Sequence, residues 1–222
     1  MAEVTSALVK ELREKSGAGM MDCKKALVEN GGDVEKAGTW LREKGLASAG
    51  KKAGRSATEG IVGSYIHMGG KIGVLVEINC ETDFTARNDK FQQLVKDVAM
   101  HIAAMNPLYL RREDVPPAEL EKEKGIHRAQ LLDQGKPEAM LEKILPGKIE
   151  KFYKENCLLE MAFFKDPEGK RSVQEEVNSV IALIGENMQV RRFVRYALGE
   201  GLKKEQKDFA AEVSAAVGAV KS

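Results

Sequence analysis

The chain has 222 residues with a formal net charge of +1 at pH 7, and this balance argues against a general nucleic-acid-binding surface, which is normally basic. Its hydrophobic fraction of 43% and its length allow one large domain and a small one. No apolar run is long enough to span a bilayer, and the N-terminus lacks a signal-peptide segment. We therefore expect a cytoplasmic protein with no membrane partner.

Cysteines and histidines are few and widely scattered. They are Cys23, Cys80, Cys157, His67, His101 and His127. The cysteines form no CxxC pair and no zinc-binding spacing, so we expect reduced, buried thiols and neither a metal site nor a cofactor.

Residues 1–54 are predicted to form a small domain of three helices. The first helix ends at the glycine-rich turn 16–19, and the second begins directly after it. The third begins at Asp33, a favourable N-cap, and is expected to close at Gly45. The basic, small-residue stretch that follows is interpreted as a linker, which places the domain boundary after residue 54.

Met20 and Met21 start the second of these helices. Consecutive helical residues point about 100° apart, so at least one of the two is expected to pack in the core. An exposed methionine would instead offer an adaptable contact to another protein.

An antiparallel hairpin is predicted next, at the start of an α+β core domain at 55–200. Residues 72–80 read IGVLVEINC, and their period of two indicates a strand with one apolar face. The glycine pair at 69–70 separates it from a second strand at 61–67. A helical period then defines a helix over 91–105.

Thr82, Asp83 and Phe84 lie where the strand pattern stops and the helical pattern has not begun. A large aromatic residue beside a carboxylate at such a corner requires an explanation, because Asp is costly to desolvate unless it caps a helix or meets a partner. From the residues alone, an ordinary core position is the simpler interpretation of Phe84.

The second half of the chain is predicted to contain charged helices over 111–156, a strand at 158–164 and a helix at 173–186. A further strand follows at 188–198, and a C-terminal helical module at 201–222 contains a helix over 203–220. The residues expected on the apolar face of the strand at 188–198 are Met188, Val190, Val194, Tyr196 and Leu198.

Catalytic motifs are missing from the sequence. It contains neither GxxxxGK[ST], GxGxxG after a strand, nor GxSxG, and no nucleophile–base spacing can be argued. We therefore expect an interaction protein and not an enzyme.

Several segments resemble the bacterial elongation factor Ts family. They are LREKSGAGMMDCKKAL, GSYIHMGGKIGVLVE, NCETDFTARN, AMHIAAMNP, GKP, IGENMQVRRFVR and GLKKEQKDFAAEV. The resemblance covers essentially the whole chain, and NCETDFTARN is similar to the family signature TDFVARN. It implies a ubiquitin-associated-like three-helix head, an α+β core with an antiparallel sheet and flanking helices, and a C-terminal helix.

The resemblance also implies a function, namely nucleotide exchange on the GTPase elongation factor Tu. It assigns Thr82, Asp83, Phe84 and Thr85 to the disturbance of the magnesium site of that GTPase. It assigns other partner contacts to Arg13, Met20, Met21 and His67.

Two departures from the family pattern stand out. Thr85 replaces the usual valine, which exchanges a methyl group for a hydroxyl. Only one copy of the strand–hairpin–helix core is present, as in short members that pair two chains. We therefore expect a homodimer through the late strands, 158–164 or 188–198, whose edges need covering.

Two other functions are open at this stage. One is an RNA-binding ribosome-associated protein, and the other is a scaffold that uses the head alone. The basic residues available to an RNA-binding protein are Lys24, Lys25, Lys51, Lys52, Arg191 and Arg195. Near-neutral charge and an aromatic fraction of 5% argue against direct binding of nucleic acid.

Overall fold

The computed structural model of the chain describes residues 4–67 and 69–202. Its regular elements are α1 (Ser6–Ser16), α2 (Met20–Glu29), α3 (Val34–Lys52), β1 (Glu59–Ile66), β2 (Ile72–Cys80), α4 (Asp83–Ala86), α5 (Asp89–Met105), α6 (Pro117–Asp133), α7 (Glu138–Asn156), α8 (Val173–Ile184) and β3 (Met188–Ala197). Helices and a three-stranded antiparallel sheet confirm the predicted α+β class. The predicted helix over 203–220 lies outside the described residues.

Three helices form the N-terminal unit, as predicted, and α1 and α3 begin with side-chain caps. The Thr5 side chain accepts a hydrogen bond from the Leu8 N–H at the start of α1, and Gly17 ends the helix in the left-handed conformation. The Asp33 carboxylate accepts two backbone N–H groups at the start of α3. The helices bury a small cluster composed of Val9, Leu12, Cys23, Ala26, Leu27 and Ala37.

Helix α3 is longer than predicted, because it passes through Gly45 and ends at Lys52. A Cβ atom at position 45 would lie 3.6 Å from the Cβ of Ala182, which shows how closely α3 approaches α8. Ala49, one turn later, is buried in the cluster beneath the sheet. Tertiary packing therefore offsets the cost of about 1 kcal/mol that glycine carries inside a helix.

Strand order in the sheet is β1–β2–β3, with both pairs antiparallel. Val74, Val76, Ile78 and Cys80 are all buried, which confirms the alternation predicted for β2. These side chains pack on α5, and α8 completes the same cluster. The opposite face, called the open face below, carries several exposed apolar side chains among the residues that the structure describes.

A β-bulge corrects the predicted face of β3. The pairing of β2 with β3 shifts by one residue, so that Arg191 is the extra residue. Beyond it, Phe193 lies opposite the buried Val76 and packs against the core. Val194 and Tyr196 therefore lie on the open face, where Tyr196 is 69% exposed. The prediction that both share the buried face of Met188 and Val190 is wrong because strict alternation cannot register an inserted residue.

The strand predicted at 158–164 is also wrong. Residues Leu158–Glu160 form a 3₁₀ turn, and Ala162 makes only a single bridge, to Ser172. Leu158, Met161 and Phe163 are buried, and Leu158 and Phe163 belong to the cluster beneath the sheet. A short continuous apolar run marks burial but does not distinguish a strand from an irregular buried segment.

His101, on α5, is fully buried against this segment. Its Nδ1 accepts a hydrogen bond of 3.3 Å from the Phe164 N–H, and the ring of Phe163 stacks on it at a centroid distance of 6.0 Å. Burial disfavours the charged imidazolium and lowers the pKa of His101 to about 4.

We expect His101 to make the fold sensitive to mild acid. Below pH 6.5 the unfolded chain binds a proton at this site that the folded chain rejects until about pH 4. The contribution of neutral His101 to the free energy of unfolding is therefore fully present above pH 6.5. It falls by about 1.4 kcal/mol per pH unit as the pH drops towards 4. Urea unfolding at pH 7 and pH 5 should show the wild type losing about 2 kcal/mol more than His101→Gln. Equal losses in the two proteins would contradict this assignment.

Candidate functional site

The predicted corner between strand and helix is confirmed between β2 and α5. Thr82, in an extended conformation, caps α4, and its Oγ1 accepts a 3.2 Å hydrogen bond from the Thr85 N–H. Asn88 caps α5 in the same way by accepting from the Lys90 N–H. Two side-chain caps within seven residues therefore turn the chain from a strand into two successive helices.

Phe84 protrudes from this corner with 84% of its surface exposed, the highest value among the large apolar side chains described. The two residues that follow it, Thr85 and Ala86, are buried at 2% and 4%. The four-residue helix α4 is thus anchored on one side and presents an aromatic ring on the other. The interpretation of Phe84 as a core residue is therefore wrong.

Asp83 precedes Phe84 in α4 and pairs with Arg87, the residue that ends this helix. The Arg87 Nη2 donates a hydrogen bond of 2.5 Å to the Asp83 Oδ2, and both side chains are more than 60% exposed. Exposed ion pairs contribute only about 0–1 kcal/mol. The Asp83 carboxylate can therefore exchange this partner for another at little cost.

Arg13, Met20 and Met21 form a second exposed group, on the N-terminal helices. Met20 is 58% and Met21 76% exposed at the start of α2, so the expectation that one of them packs in the core is wrong. Arg13 is exposed on the last turn of α1. Exposed thioether side chains are soft and adaptable contacts for another protein.

His67 lies away from the corner. It follows β1 at the hairpin turn, where its Nδ1 meets the Tyr65 hydroxyl at 3.2 Å. The corner is at the other end of β2, which runs over Ile72–Cys80 and so spans about 26 Å. The partner-binding role of His67 stays a prediction.

Glu186 is a corner residue that the sequence analysis missed. Its carboxylate accepts hydrogen bonds from both the backbone N–H and the hydroxyl of Thr82, across 104 residues of chain. Glu186 ends the helix predicted at 173–186 and lies in the segment IGENMQVRRFVR, but no spacing rule connects it with the corner.

Metal and thiol chemistry find no support in the part of the chain that the structure describes. Within residues 4–67 and 69–202, no group of three or more Cys, His, Asp or Glu is placed to hold a metal ion. All three cysteines are buried, and burial raises the pKa of Cys157 to about 11. A thiol with so high a pKa is a weak nucleophile at neutral pH, because little thiolate forms.

An α+β fold that displays its candidate residues on a capped, protruding corner is typical of a protein that acts by binding a partner. The sequence model of the family described as Elongation factor TS matches residues 48–170. The Elongation factor Ts of Geotalea daltonii is 62% identical over 216 residues, covering 97% of this chain and 99% of the relative.

Two further relatives are similar to this chain over almost their whole length. The Elongation factor Ts of Geobacter sulfurreducens is 63% identical over 215 residues, covering 97% of this chain and 99% of the relative. That of Desulforamulus reducens is 63% identical over 219 residues, with coverage of 99% and 100%. The chain therefore belongs to the elongation factor Ts family and has a role in translation elongation.

No helix among the described residues is long and apolar enough to cross a membrane.

Proposed function

We propose that this chain is a guanine nucleotide exchange factor for elongation factor Tu and performs no chemical step of its own. The observation that carries the proposal is the exposure of Phe84 on a capped corner, with the Asp83 carboxylate beside it. An aromatic ring held in water has apolar surface to bury on a partner, and a carboxylate next to it brings negative charge to the same place.

The mechanism follows from linkage between two ligands of one GTPase. An exchange factor binds the nucleotide-free GTPase most tightly. It therefore lowers the affinity of the GTPase for nucleotide by the same factor by which the nucleotide lowers the affinity for the exchange factor, and the same reciprocity holds for Mg²⁺. Phe84 enters an apolar slot of the G domain, and Asp83 acts on the magnesium ion or its waters. Bound Mg²⁺ requires near-ideal octahedral geometry, so small displacements of its surroundings are costly. Thr82 and Thr85 hold the corner in shape.

The corner supplies only part of the effect. Burial of one phenylalanine is worth about 1.5–3 kcal/mol, which corresponds to one or two orders of magnitude in rate. Larger acceleration requires the second contact area, to which Arg13, Met20 and Met21 contribute, and a further contact at His67.

Release of a fluorescent GDP from purified elongation factor Tu tests the proposal directly. Catalytic amounts of the chain should accelerate release, and the acceleration should saturate as the exchange factor is increased. An unchanged release rate would reject the proposed function. The same measurement at several Mg²⁺ concentrations should show the largest acceleration where Mg²⁺ otherwise retains the nucleotide most strongly.

An RNA-binding function is the weaker candidate. Arg191 is paired with Glu77 at 2.8 Å and, with Arg192, holds the pKa of that carboxyl below its ordinary value. Arg195 donates from Nε to the Ala103 carbonyl. Two of the expected phosphate ligands are therefore already engaged, and we expect no salt-dependent RNA band shift.

Homodimerisation is the second part of the proposal, and the open face of the sheet is the surface that supports it. Val62, Ile66, Leu75 and Tyr196 are 64%, 65%, 48% and 69% exposed on this face. Leu198 continues the apolar surface beyond β3. Two such faces stack about 10 Å apart in a sandwich, and a two-fold axis makes each one the partner of the other. The open face thus replaces the strand edges at 158–164 and 188–198 as the proposed contact.

Charge placed on this face should separate the two chains. Tyr196→Arg puts a guanidinium where the second sheet would lie, and the variant should run as a monomer in light scattering at micromolar concentration. Leu132→Arg, at the end of α6, is the matched control: Leu132 is 47% exposed, and its variant should retain the dimer mass. A monomeric wild type, or a dimeric Tyr196→Arg protein, would contradict the proposed contact.

A further inference from the structure

Side chains extend the β2–β3 pairing beyond the last residues of the strands. The ladder ends where Cys80 pairs with Met188. In the next pair, the Glu81 carboxylate accepts a 2.6 Å hydrogen bond from the Asn187 N–H. In the pair after that, the Glu186 carboxylate accepts from Thr82. The two strands thus remain joined by reciprocal bonds, each from a carboxylate on one side to a backbone N–H on the other.

Glu186 fixes the residue that starts α4. Its two carboxylate oxygens accept separately, one from the Thr82 N–H at 3.1 Å and the other from the Thr82 Oγ1 at 2.8 Å. Because Oγ1 donates to Glu186, its lone pairs remain free to accept the Thr85 N–H. The carboxylate therefore orients the hydroxyl that caps α4, and α4 carries Phe84.

Asn187 ties the same corner to the end of the N-terminal unit. It is 1% exposed, and its Nδ2 donates to the Arg55 carbonyl at 2.8 Å. The Arg55 guanidinium in turn lies 3.5 Å from the Glu81 carboxylate. Asn187, Arg55 and Glu81 thus form a closed set of contacts next to Thr82 in the chain.

We propose that Glu186 is a positioning residue for exchange, supported by Glu81 and Asn187, and that it acts by holding Phe84 in the orientation that the partner accepts. The inference rests on the proposed function. A four-residue helix that loses its fixed N-cap samples other orientations, and the apparent affinity for the partner falls in proportion to the fraction of molecules that keep the competent one. Glu186 itself has no contact with the partner in this account.

A double-mutant cycle tests the inference. Glu186→Ala should slow the release of fluorescent GDP from elongation factor Tu by about tenfold, the usual scale for a lost charge-assisted hydrogen bond. Glu186→Gln retains one acceptor oxygen and should fall between this variant and the wild type. In a Phe84→Ala background, Glu186→Ala should have a smaller further effect, because the ring is gone and only Asp83 remains to be positioned.

Glu175 provides the matched control from the other end of α8. Its carboxylate also accepts a backbone N–H, that of Ser172 at 2.8 Å, but it is not bonded to the corner. Glu175→Ala should exchange nucleotide at the wild-type rate. Hydrogen exchange supplies a readout without the partner: the Thr82 amide should lose about tenfold protection in Glu186→Ala and none in Glu175→Ala.

The possible results separate this inference from the function on which it rests. If Phe84→Ala is slow and Glu186→Ala is as fast as the wild type, the positioning role is wrong and the proposed function stands. If the two losses multiply in the double variant, Glu186 acts by another route and the positioning role is again wrong. If Phe84→Ala itself exchanges at the wild-type rate, the insertion of the ring is wrong, and the inference falls with it.

Discussion

Phe84→Ala should slow the release of GDP from elongation factor Tu between about ten- and hundredfold while leaving the fold of the chain intact. The functional loss follows from the apolar surface that the ring buries in the complex, worth about 1.5–3 kcal/mol. The fold should not change because the ring is 84% exposed and supports nothing in the free chain. Stopped-flow release of a fluorescent GDP measures the first effect, and thermal unfolding measures the second.

Phe164→Ala is the control of the same residue type. Its ring is 41% exposed and lies beside His101, away from the corner. This variant should retain the exchange rate of the wild type, because the His101 hydrogen bond comes from the backbone of residue 164 and not from the ring. Equal rates for Phe84→Ala and Phe164→Ala would remove the corner ring from the mechanism.

Phe91→Ala should weaken the fold and not the exchange activity, with a loss of about 3–5 kcal/mol in the free energy of unfolding. Phe91 is 0% exposed on α5, in the cluster that joins this helix to the sheet. Removing its ring costs the transfer free energy of the side chain and leaves a cavity that close-packed neighbours fill only in part. Urea unfolding followed by circular dichroism measures the loss.

The two phenylalanines lie seven residues apart, so each variant is the control for the other. In the same urea titration, Phe84→Ala should change the unfolding free energy by no more than about 0.5 kcal/mol. Under conditions where Phe91→Ala is still folded, its exchange rate should match that of the wild type, because its ring does not reach the surface. A loss below about 1 kcal/mol for Phe91→Ala would contradict the packing described for α5.

Local pattern predicted the parts of the fold that repeat without interruption. The period of two in β2 placed Val74, Val76 and Ile78 on the buried face, and the same pattern placed the corner directly after Cys80. Helix caps such as Asp33 were also predictable, because an N-cap depends on a side chain and backbone groups two or three residues away.

Predictions failed where a distant contact decides the conformation. Gly45 reads as a helix end, but α3 continues because it packs on α8, more than a hundred residues later. The apolar run at 158–164 is buried without being a strand. Phe84 illustrates the same limit at the site: its residue type indicates a core position, and only the burial of Thr85 on the other side of α4 turns its ring outwards.

The bonds of Glu186 to Thr82 could not be predicted either, since no local rule connects residues 104 positions apart. The resemblance placed Thr82, Asp83 and Phe84 in a common role but gave none to Glu186. A hydrogen-bond partner of this kind becomes visible only when the strands are paired and their register is known.

The extra residue at Arg191 also determines how β3 would respond to a change in chain length. Loss of the Arg191 codon would remove the bulge, and Arg192 and Phe193 would keep their places opposite Glu77 and Val76. Loss of the Phe193 codon would instead bring Val194 opposite Val76 and turn every later side chain of the strand to the other face. That deletion would remove the proposed dimer surface and disturb the core in one genetic event, whereas a deletion at the bulge would leave both in place.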